Sequence, residues 1–134
     1  MHVDEFDSSG HLLMRLQHGP WMNAPWGIAM APGNFGHFSN DILVGNFGSG
    51  EIAAFDPSTG EFVGRLLGRH GPLVIEGLWG VAFGGGSPVN NGFANELFFA
   101  AGIEDEAHDC LANLRPLCTK VGMRISPTGV LVLS

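Results

Sequence analysis

Two short sequence patterns recur along the chain, and this repetition constrains the fold more than any other feature. The first pattern reads VDEFDSSGHLLMRL at residues 3–16 and IAAFDPSTGEFVGRL at residues 52–66, with a weaker third copy, MRISPTGVLVL, at residues 123–133. Each copy consists of an apolar run, a polar turn that ends in glycine, and a second apolar run. This arrangement predicts a β-hairpin in each copy.

The second pattern places a tryptophan near the start of an apolar run. APWGIAM at residues 24–30 matches GLWGVAF at residues 77–83, and the segments that follow match in the same order, SNDILVGN at residues 39–46 and ANELFFAA at residues 94–101. Because these segments alternate with the hairpins, one unit of about 50 residues contains four short strands. Such units are typical of β-propeller blades.

We therefore expect an all-β protein, a partial β-propeller with about two and a half four-stranded antiparallel blades in a single domain over residues 1–134. The expected parts are an outer hairpin at residues 3–16, a complete blade at residues 24–67, and a second blade with a long loop and a diverged tail at residues 77–133. Closed propeller rings need about four to eight blades. The ring is therefore expected to be completed by oligomerisation into a dimer or trimer.

The composition argues against several classes of protein. The chain has 6 Lys and Arg against 13 Asp and Glu, a net charge of −7, and therefore no basic stripe for nucleic acid. No apolar run approaches the roughly 20 residues that span a bilayer, so no membrane span is expected. The chain opens on polar and acidic residues, which predicts no secretory signal within it. The composition leaves the cellular compartment unassigned.

The stretch NAPWGIAMAPGNFGHFSNDILVGNFGSGEIAAFDPSTGEFVGRLLG, followed by IEGLWGVAFG and ELFFAAGIEDEAHD, resembles a known group of proteins. This group is an uncharacterised bacterial family of NHL-like β-propellers whose members often have a secretion signal and a PEP-CTERM sorting signal. The resemblance covers residues 3–109 and matches the C-terminal part of the family pattern. It implies a propeller fold and exported full-length members. It implies no activity, because none is established for the family.

One candidate ligand-binding set combines an aromatic ring with two amides, Asn23, Trp26 and Asn46. Trp26 opens the innermost strand of a blade and Asn46 closes the next strand. We therefore expect them at one mouth of a central channel, where they would suit a small polar ligand or a protein. The repeat favours a structural role, since Trp79 recurs at the position of Trp26 whereas Ala101 replaces Asn46. We therefore expect Trp26 and Trp79 to pack in the core between blades, with Asn46 in a turn.

A second candidate site is the acidic stretch that follows the last matched strand. Its carboxylates could bind a hard cation such as Ca²⁺, and they are supplied by Glu104, Asp105, Glu106 and Asp109. The stretch lacks the D-x-D-x-D-G spacing of a calcium loop, and a solvated acidic loop is the alternative. No cofactor is expected unless this stretch binds calcium. Whether the nearby Cys110 and Cys118 pair in a disulfide stays open.

No catalytic residue is assigned. The serines include no G-x-S-x-G phrase, and the histidines have no metal-ligand spacing. The sequence therefore favours a non-enzymatic binding or scaffold module of the propeller type. One alternative is a hydrolase that resembles propeller lactonases and uses an axial calcium ion. The other alternative is a truncated propeller fragment without selected activity.

Overall fold

The regular structure of the described residues consists almost entirely of short β-strands. The computed structural model describes residues 1–68, 70–87, 89, 92–102, 123–125 and 131–132. The strands within these residues are, in chain order, β1 (Asp4–Phe6), β2 (Leu12–Arg15), β3 (Pro25–Met30), β4 (Ile42–Asn46), β5 (Ile52–Phe55), β6 (Phe62–Arg65), β7 (Leu67–Gly68), β8 (Gly71–Pro72), β9 (Leu78–Phe83), β10 (Leu97–Ala101), β11 (Met123–Ile125) and β12 (Leu131–Val132). A 3₁₀ turn at Gly36–Phe38 is the helical element of this part, and no helix there is long and apolar enough to cross a membrane. The prediction of an all-β protein is confirmed.

Most of the strands belong to two four-stranded antiparallel sheets. The first sheet has the order β3-β4-β5-β6 and the second has the order β9-β10-β11-β12, while β1–β2 and β7–β8 are separate hairpins. Each sheet is a simple meander, in which strands that follow one another along the chain also pair. In the described residues the sheets close into no barrel or ring. The partial propeller with its oligomeric ring therefore stays a prediction.

The two sheets repeat not only in sequence but also in strand register. Gly27 pairs with Gly45 and Ile28 pairs with Val44 between β3 and β4; at the aligned positions of β9 and β10, Gly80 pairs with Ala100 and Val81 with Phe99. The register shifts at the same end of both pairs, next to the repeated tryptophan. The inner strand pairs of the two sheets are thus the same structural unit, and the repeat alignment gives equivalent positions.

Aspartates organise the turns of the two outer hairpins. Asp7 Oδ1 accepts hydrogen bonds from the backbone N–H groups of Ser9 at 2.8 Å and His11 at 2.9 Å. Asp56 Oδ1 accepts a hydrogen bond from the backbone N–H of Ser58 at 2.7 Å. Such side-chain bonds stabilise the turn and satisfy groups that strand pairing leaves free. Both aspartates therefore cap the backbone of their own turns.

The two sheets pack face to face through their inner strands. Leu43, Ile52 and Ala54 of the first sheet share one core with Leu78, Val81, Leu97 and Phe99 of the second. The backbones come close at Gly27, where an added Cβ would lie 2.8 Å from the Val81 nitrogen and 2.9 Å from the Gly80 Cα. Glycine is therefore needed at position 27 for the sheets to approach this closely.

The opposite face of the first sheet is covered only in part. Leu16, which follows the β1–β2 hairpin, is buried against Val44, Ala53 and Phe55. Trp21 stacks on Phe62 with ring centroids 4.2 Å apart and extends this second core toward the outer strand. The N-terminal segment therefore covers the outer three strands, whereas inner-strand residues on this face remain exposed.

Candidate functional site

Three aromatic side chains form a surface group that we call the aromatic cluster, Trp26, Phe47 and Trp79. The Trp26 and Trp79 rings meet edge to face with centroids 5.1 Å apart, at an interplanar angle of 77°. Phe47 lies 6.3 Å from Trp26 and 5.9 Å from Trp79, between ring centroids. These distances are in the range in which aromatic rings attract one another. The cluster is therefore a structural unit.

The cluster is open to solvent. The exposed fractions are 63% for Trp26, 41% for Phe47 and 37% for Trp79. The expectation that Trp26 and Trp79 pack inside the core between sheets is therefore wrong, although the two rings do touch each other. The reason is local: the register shift beside Pro25 interrupts the alternation of faces along β3 at Trp26.

A repeated backbone turn brings both tryptophans to the same end of the stacked sheets. Ala24 and Gly77, two residues before each tryptophan, have positive φ angles of 53° and 69°. The carbonyl of Ala24 accepts the N–H of Phe47 at 2.9 Å, and the carbonyl of Gly77 accepts the N–H of Gly102, also at 2.9 Å. The same turn therefore anchors the start of each inner strand, and in the first sheet it also positions Phe47.

Asn46 has a fully buried side chain that bonds to the backbone. Its Oδ1 accepts the backbone N–H of Asn23 at 2.9 Å, and its Nδ2 donates to the carbonyls of Glu51 at 3.3 Å and Val44 at 3.4 Å. The Asn23 side chain, in contrast, is exposed and lies over Gly48. Asn23 and Asn46 are thus joined, but the Asn46 amide is not displayed beside the ring of Trp26.

The carboxyl groups whose pKa values are shifted lie in hairpins and loops of the described residues. The Arg15 side chain, which donates to Asp4 from Nε at 2.6 Å, lowers the pKa of that carboxyl. The backbone N–H of His11 and then its ring lower the pKa of Asp7. Burial, followed by the charge of Asp56, raises the pKa of Asp41. None of these shifts arises from a residue of the aromatic cluster.

The predicted cation site lies outside the described residues, as do both cysteines. Nothing in the structure bears on Glu104, Asp105, Glu106 or Asp109, and calcium binding there stays a prediction. Within the part of the chain that is described, no group of three or more His, Cys, Asp or Glu side chains is arranged to hold a metal ion.

Sequence reasoning included Trp26 in the candidate site but missed two of its neighbours. Trp79 was assigned to packing alone, although its alignment with Trp26 was the available signal that both occupy the same end. Phe47 had no such signal, because the aligned residue is Gly102. A ligand-binding role for Asn23, Trp26 and Asn46 stays a prediction.

The chain is similar to uncharacterised viral proteins. One protein of Acanthamoeba polyphaga mimivirus is 35% identical over 105 residues, which cover 78% of this chain and 24% of the relative. A second protein of the same virus is 32% identical over 114 residues, covering 84% of this chain and 29% of the relative. A third protein of this virus is 36% identical over 81 residues, which cover 60% of this chain and 15% of the relative. The chain thus spans about a quarter of the length of the first two curated relatives.

These relatives correct the resemblance drawn from the sequence. No family model matches the chain, and no solved structure matches it. The related proteins are viral, so the assignment to a bacterial NHL-like family is wrong. The phrases that suggested this family contain the glycines and turn residues that punctuate short antiparallel strands. Such residues report architecture rather than ancestry.

Proposed function

We propose that the chain is part of a non-enzymatic binding or scaffold module built from β-propeller blades. The aromatic cluster is the surface that contacts its ligand. The observation that carries this proposal is the exposure of three mutually touching rings at one end of the stacked sheets. Soluble proteins seldom leave contiguous apolar groups exposed unless the patch serves in binding.

The geometry of the cluster favours ligands that present a flat ring. Tryptophan and phenylalanine offer broad apolar faces at a low cost in side-chain entropy, since each has few rotatable bonds. The exposed amide of Asn23 lies over Gly48, which follows Phe47 in the chain, and adds a polar group near the cluster. We therefore expect the ligand to combine a ring with polar substituents, as a sugar or an aromatic side chain on a protein does.

The propeller architecture is supported by the repeated register of the two sheets and by their face-to-face stacking. The length of a viral relative adds to this: if 105 residues are 24% of that protein, it has roughly 440 residues (105/0.24). This length has room for about eight units of about 50 residues, within the range of propeller rings. For the present chain, we propose that copies associate as a dimer or trimer.

A fluorescent aromatic probe, 8-anilinonaphthalene-1-sulfonate, tests the proposed surface. Trp26→Ala removes the most exposed ring of the cluster, and we expect it to weaken binding of the probe about tenfold. Phe93→Ala is the matched control, because Phe93 is also exposed but belongs to the loop at the other end of β9 and β10. Equal binding by the wild type and Trp26→Ala would contradict the proposal.

A further inference from the structure

We propose that copies of this chain associate head to tail through two uncovered faces of the inner strand pairs. In this contact, the face of β9–β10 that points away from the first sheet packs in one copy against Ile28 and Met30 of the next copy. The inference rests on the propeller architecture proposed above. It goes further by naming the contact surfaces and the strands that must change partners.

The first uncovered face is seen by comparing equivalent positions of β3 and β9. Ile28 aligns with Val81, yet 54% of Ile28 is exposed and only 8% of Val81. Met30 aligns with Phe83, and Met30 is 58% exposed whereas Phe83 packs against the core. Val81 and Phe83 are covered because the first sheet lies against them. In the described chain, no inner strand pair lies against Ile28 and Met30 in the same way.

The second uncovered face lies on the far side of the second sheet. At Gly27 an added Cβ would meet the backbone of β9 at 2.8 Å, whereas at the equivalent Gly80 it would meet nothing within 4 Å. Ala82 and Ala100, which share this face with Gly80, are both exposed. The far side of β9–β10 thus presents small residues beside one larger ring, Phe98, which pairs with Ala82. The surface of β3 and β4 that receives Val81 has the same composition, with Leu43 at the position equivalent to Phe98.

These two faces are the two halves of one contact that the chain already forms internally. A face of glycine and alanine around one larger side chain, Leu43 in the first sheet and Phe98 in the second, receives the apolar side chains of the next sheet. The small residues allow close backbone approach and burial of those side chains. A second copy of the chain brings the matching half for each uncovered face. The contact is head to tail, because it joins different surfaces on the two copies. Such contacts generate a closed ring when repeated rotation from one copy to the next leads back to the first copy.

The contact also requires an exchange of outer hairpins. β5 pairs with β4 on one side and β6 on the other, whereas its sequence equivalent β1 pairs in the described residues with β2 alone. β11 is the corresponding strand of the second sheet and pairs with β10. When β9–β10 of one copy covers Ile28 and Met30 of the next, the β1–β2 hairpin of that next copy comes to lie beside β10. It takes the place of β11–β12 there.

This exchange gives a simple ring count. Each copy then contributes two complete four-stranded sheets, namely β3–β6 and a shared sheet of β9–β10 with the β1–β2 hairpin of a neighbour. Two copies supply four sheets and three copies supply six, both of which lie within the range of about four to eight known for propeller rings. The same contact is repeated at every junction between sheets.

Light scattering on a sizing column tests the contact with the full chain. We expect the wild type at two or three times its 14.2 kDa mass. Ile28→Asp places a charge on one face and Gly80→Val fills the other, and each variant is expected to elute at 14.2 kDa with an unchanged far-ultraviolet circular dichroism spectrum. Val63→Asp is the matched control, since Val63 is an exposed apolar residue of the outermost strand, and it should stay associated.

Two outcomes would overturn the inference. One is a wild type that stays monomeric at every concentration up to its solubility limit. The other is an oligomer that survives both Ile28→Asp and Gly80→Val. The binding of the fluorescent probe separates these failures from those of the proposed ligand surface. A monomer that binds the probe through Trp26 contradicts the head-to-tail contact alone, whereas an oligomer broken by both variants that binds no probe contradicts the ligand surface alone.

Discussion

Asn46 connects three stretches of backbone through a single buried amide. Its side chain is fully buried, accepts one backbone N–H and donates to two carbonyls. Buried polar groups of this kind are costly to leave unpaired, because the lost bond is not replaced by solvent. The residue therefore links the segment before β3 to the turn that joins β4 to β5.

Asn46→Ala is expected to lower the free energy of unfolding by about 2 kcal/mol, because it removes the acceptor of the Asn23 N–H and the bonds of a fully buried amide. Urea denaturation monitored by circular dichroism measures this change. Asn23→Ala is the matched control, since it removes an exposed amide and keeps the backbone N–H that Asn46 accepts. A comparable loss of stability in both variants would show that the buried bonds are not the cause.

Asp41 shows the opposite behaviour, because its surroundings disfavour the charged form. Burial and the nearby charge of Asp56 raise the pKa of Asp41 above its usual 3.8, while His37 acts weakly in the other direction. A carboxyl with a raised folded-state pKa binds its proton more readily in the folded state. It therefore makes the protein less stable as the pH rises through this window.

Asp41→Asn is expected to raise the thermal midpoint at pH 7, with a gain that shrinks as the pH is lowered below the ordinary aspartate pKa. Asp7→Asn should behave inversely. The His11 N–H lowers the pKa of Asp7, so its stabilising effect is present above the unfolded-state pKa and is lost as the pH falls. Thermal melts of both variants between pH 3 and pH 7 check this, and parallel pH dependences would rule out the assigned causes.

The contact between the inner strands is the structural element on which sheet stacking depends. Gly27 faces the backbone of β9, which cannot move aside as a flexible side chain could, whereas Gly80 faces open space. The two glycines are equivalent in sequence and in register, so they differ only in what lies opposite them. The same substitution at the two positions therefore measures the effect of the packing alone.

Gly27→Ala is expected to destabilise the fold by about 2 kcal/mol, the usual cost of forcing an extra methyl group into a packed contact. Gly80→Ala should change the free energy of unfolding by less than about 0.5 kcal/mol. Both are best measured by urea denaturation in the Ile28→Asp background, where association of copies does not contribute. Equal effects at the two positions would contradict the close approach of β3 to β9.

The strands were predictable from sequence because each hairpin contains its own turn signal. β5 and β6, for example, lie within the hairpin predicted at residues 52–66, and the polar turn between them is capped by Asp56. The short β7–β8 hairpin was not predicted, since its strands have only two residues each. Burial was the weakest prediction. Trp26 and Trp79 were both offered as core residues and are exposed, because coverage depends on distant segments that a local pattern does not specify.

At the scale of the whole molecule, the repeat connects the aromatic cluster to the proposed ring. Trp26 of the first sheet already touches Trp79 of the second within one chain. Because the head-to-tail contact repeats this geometry, Trp79 of one copy would lie next to Trp26 of the following copy. The tryptophans would then form a continuous band around one mouth of the oligomeric ring, with one indole side chain from each sheet.

The direction of the contact can be tested with a double variant, Ile28→Cys with Ala82→Cys, in a chain whose Cys110 and Cys118 are replaced by serine. Ile28 and Ala82 lie on the two outer faces of the stacked sheets, so a short bismaleimide should join neighbouring copies rather than the two sites of one copy. On a denaturing gel we expect bands at multiples of the 14.2 kDa chain mass that end at the dimer or trimer.

Each single-cysteine variant is the control for this experiment and should remain uncross-linked, because position 28 of one copy faces position 82 of the next and not another position 28. Cross-linking of the Ile28→Cys variant alone would indicate a two-fold symmetric contact instead of a head-to-tail one. A ladder that continues without an upper limit would indicate open filaments, in which the rotation between copies does not close. A ladder that ends abruptly requires a closed ring.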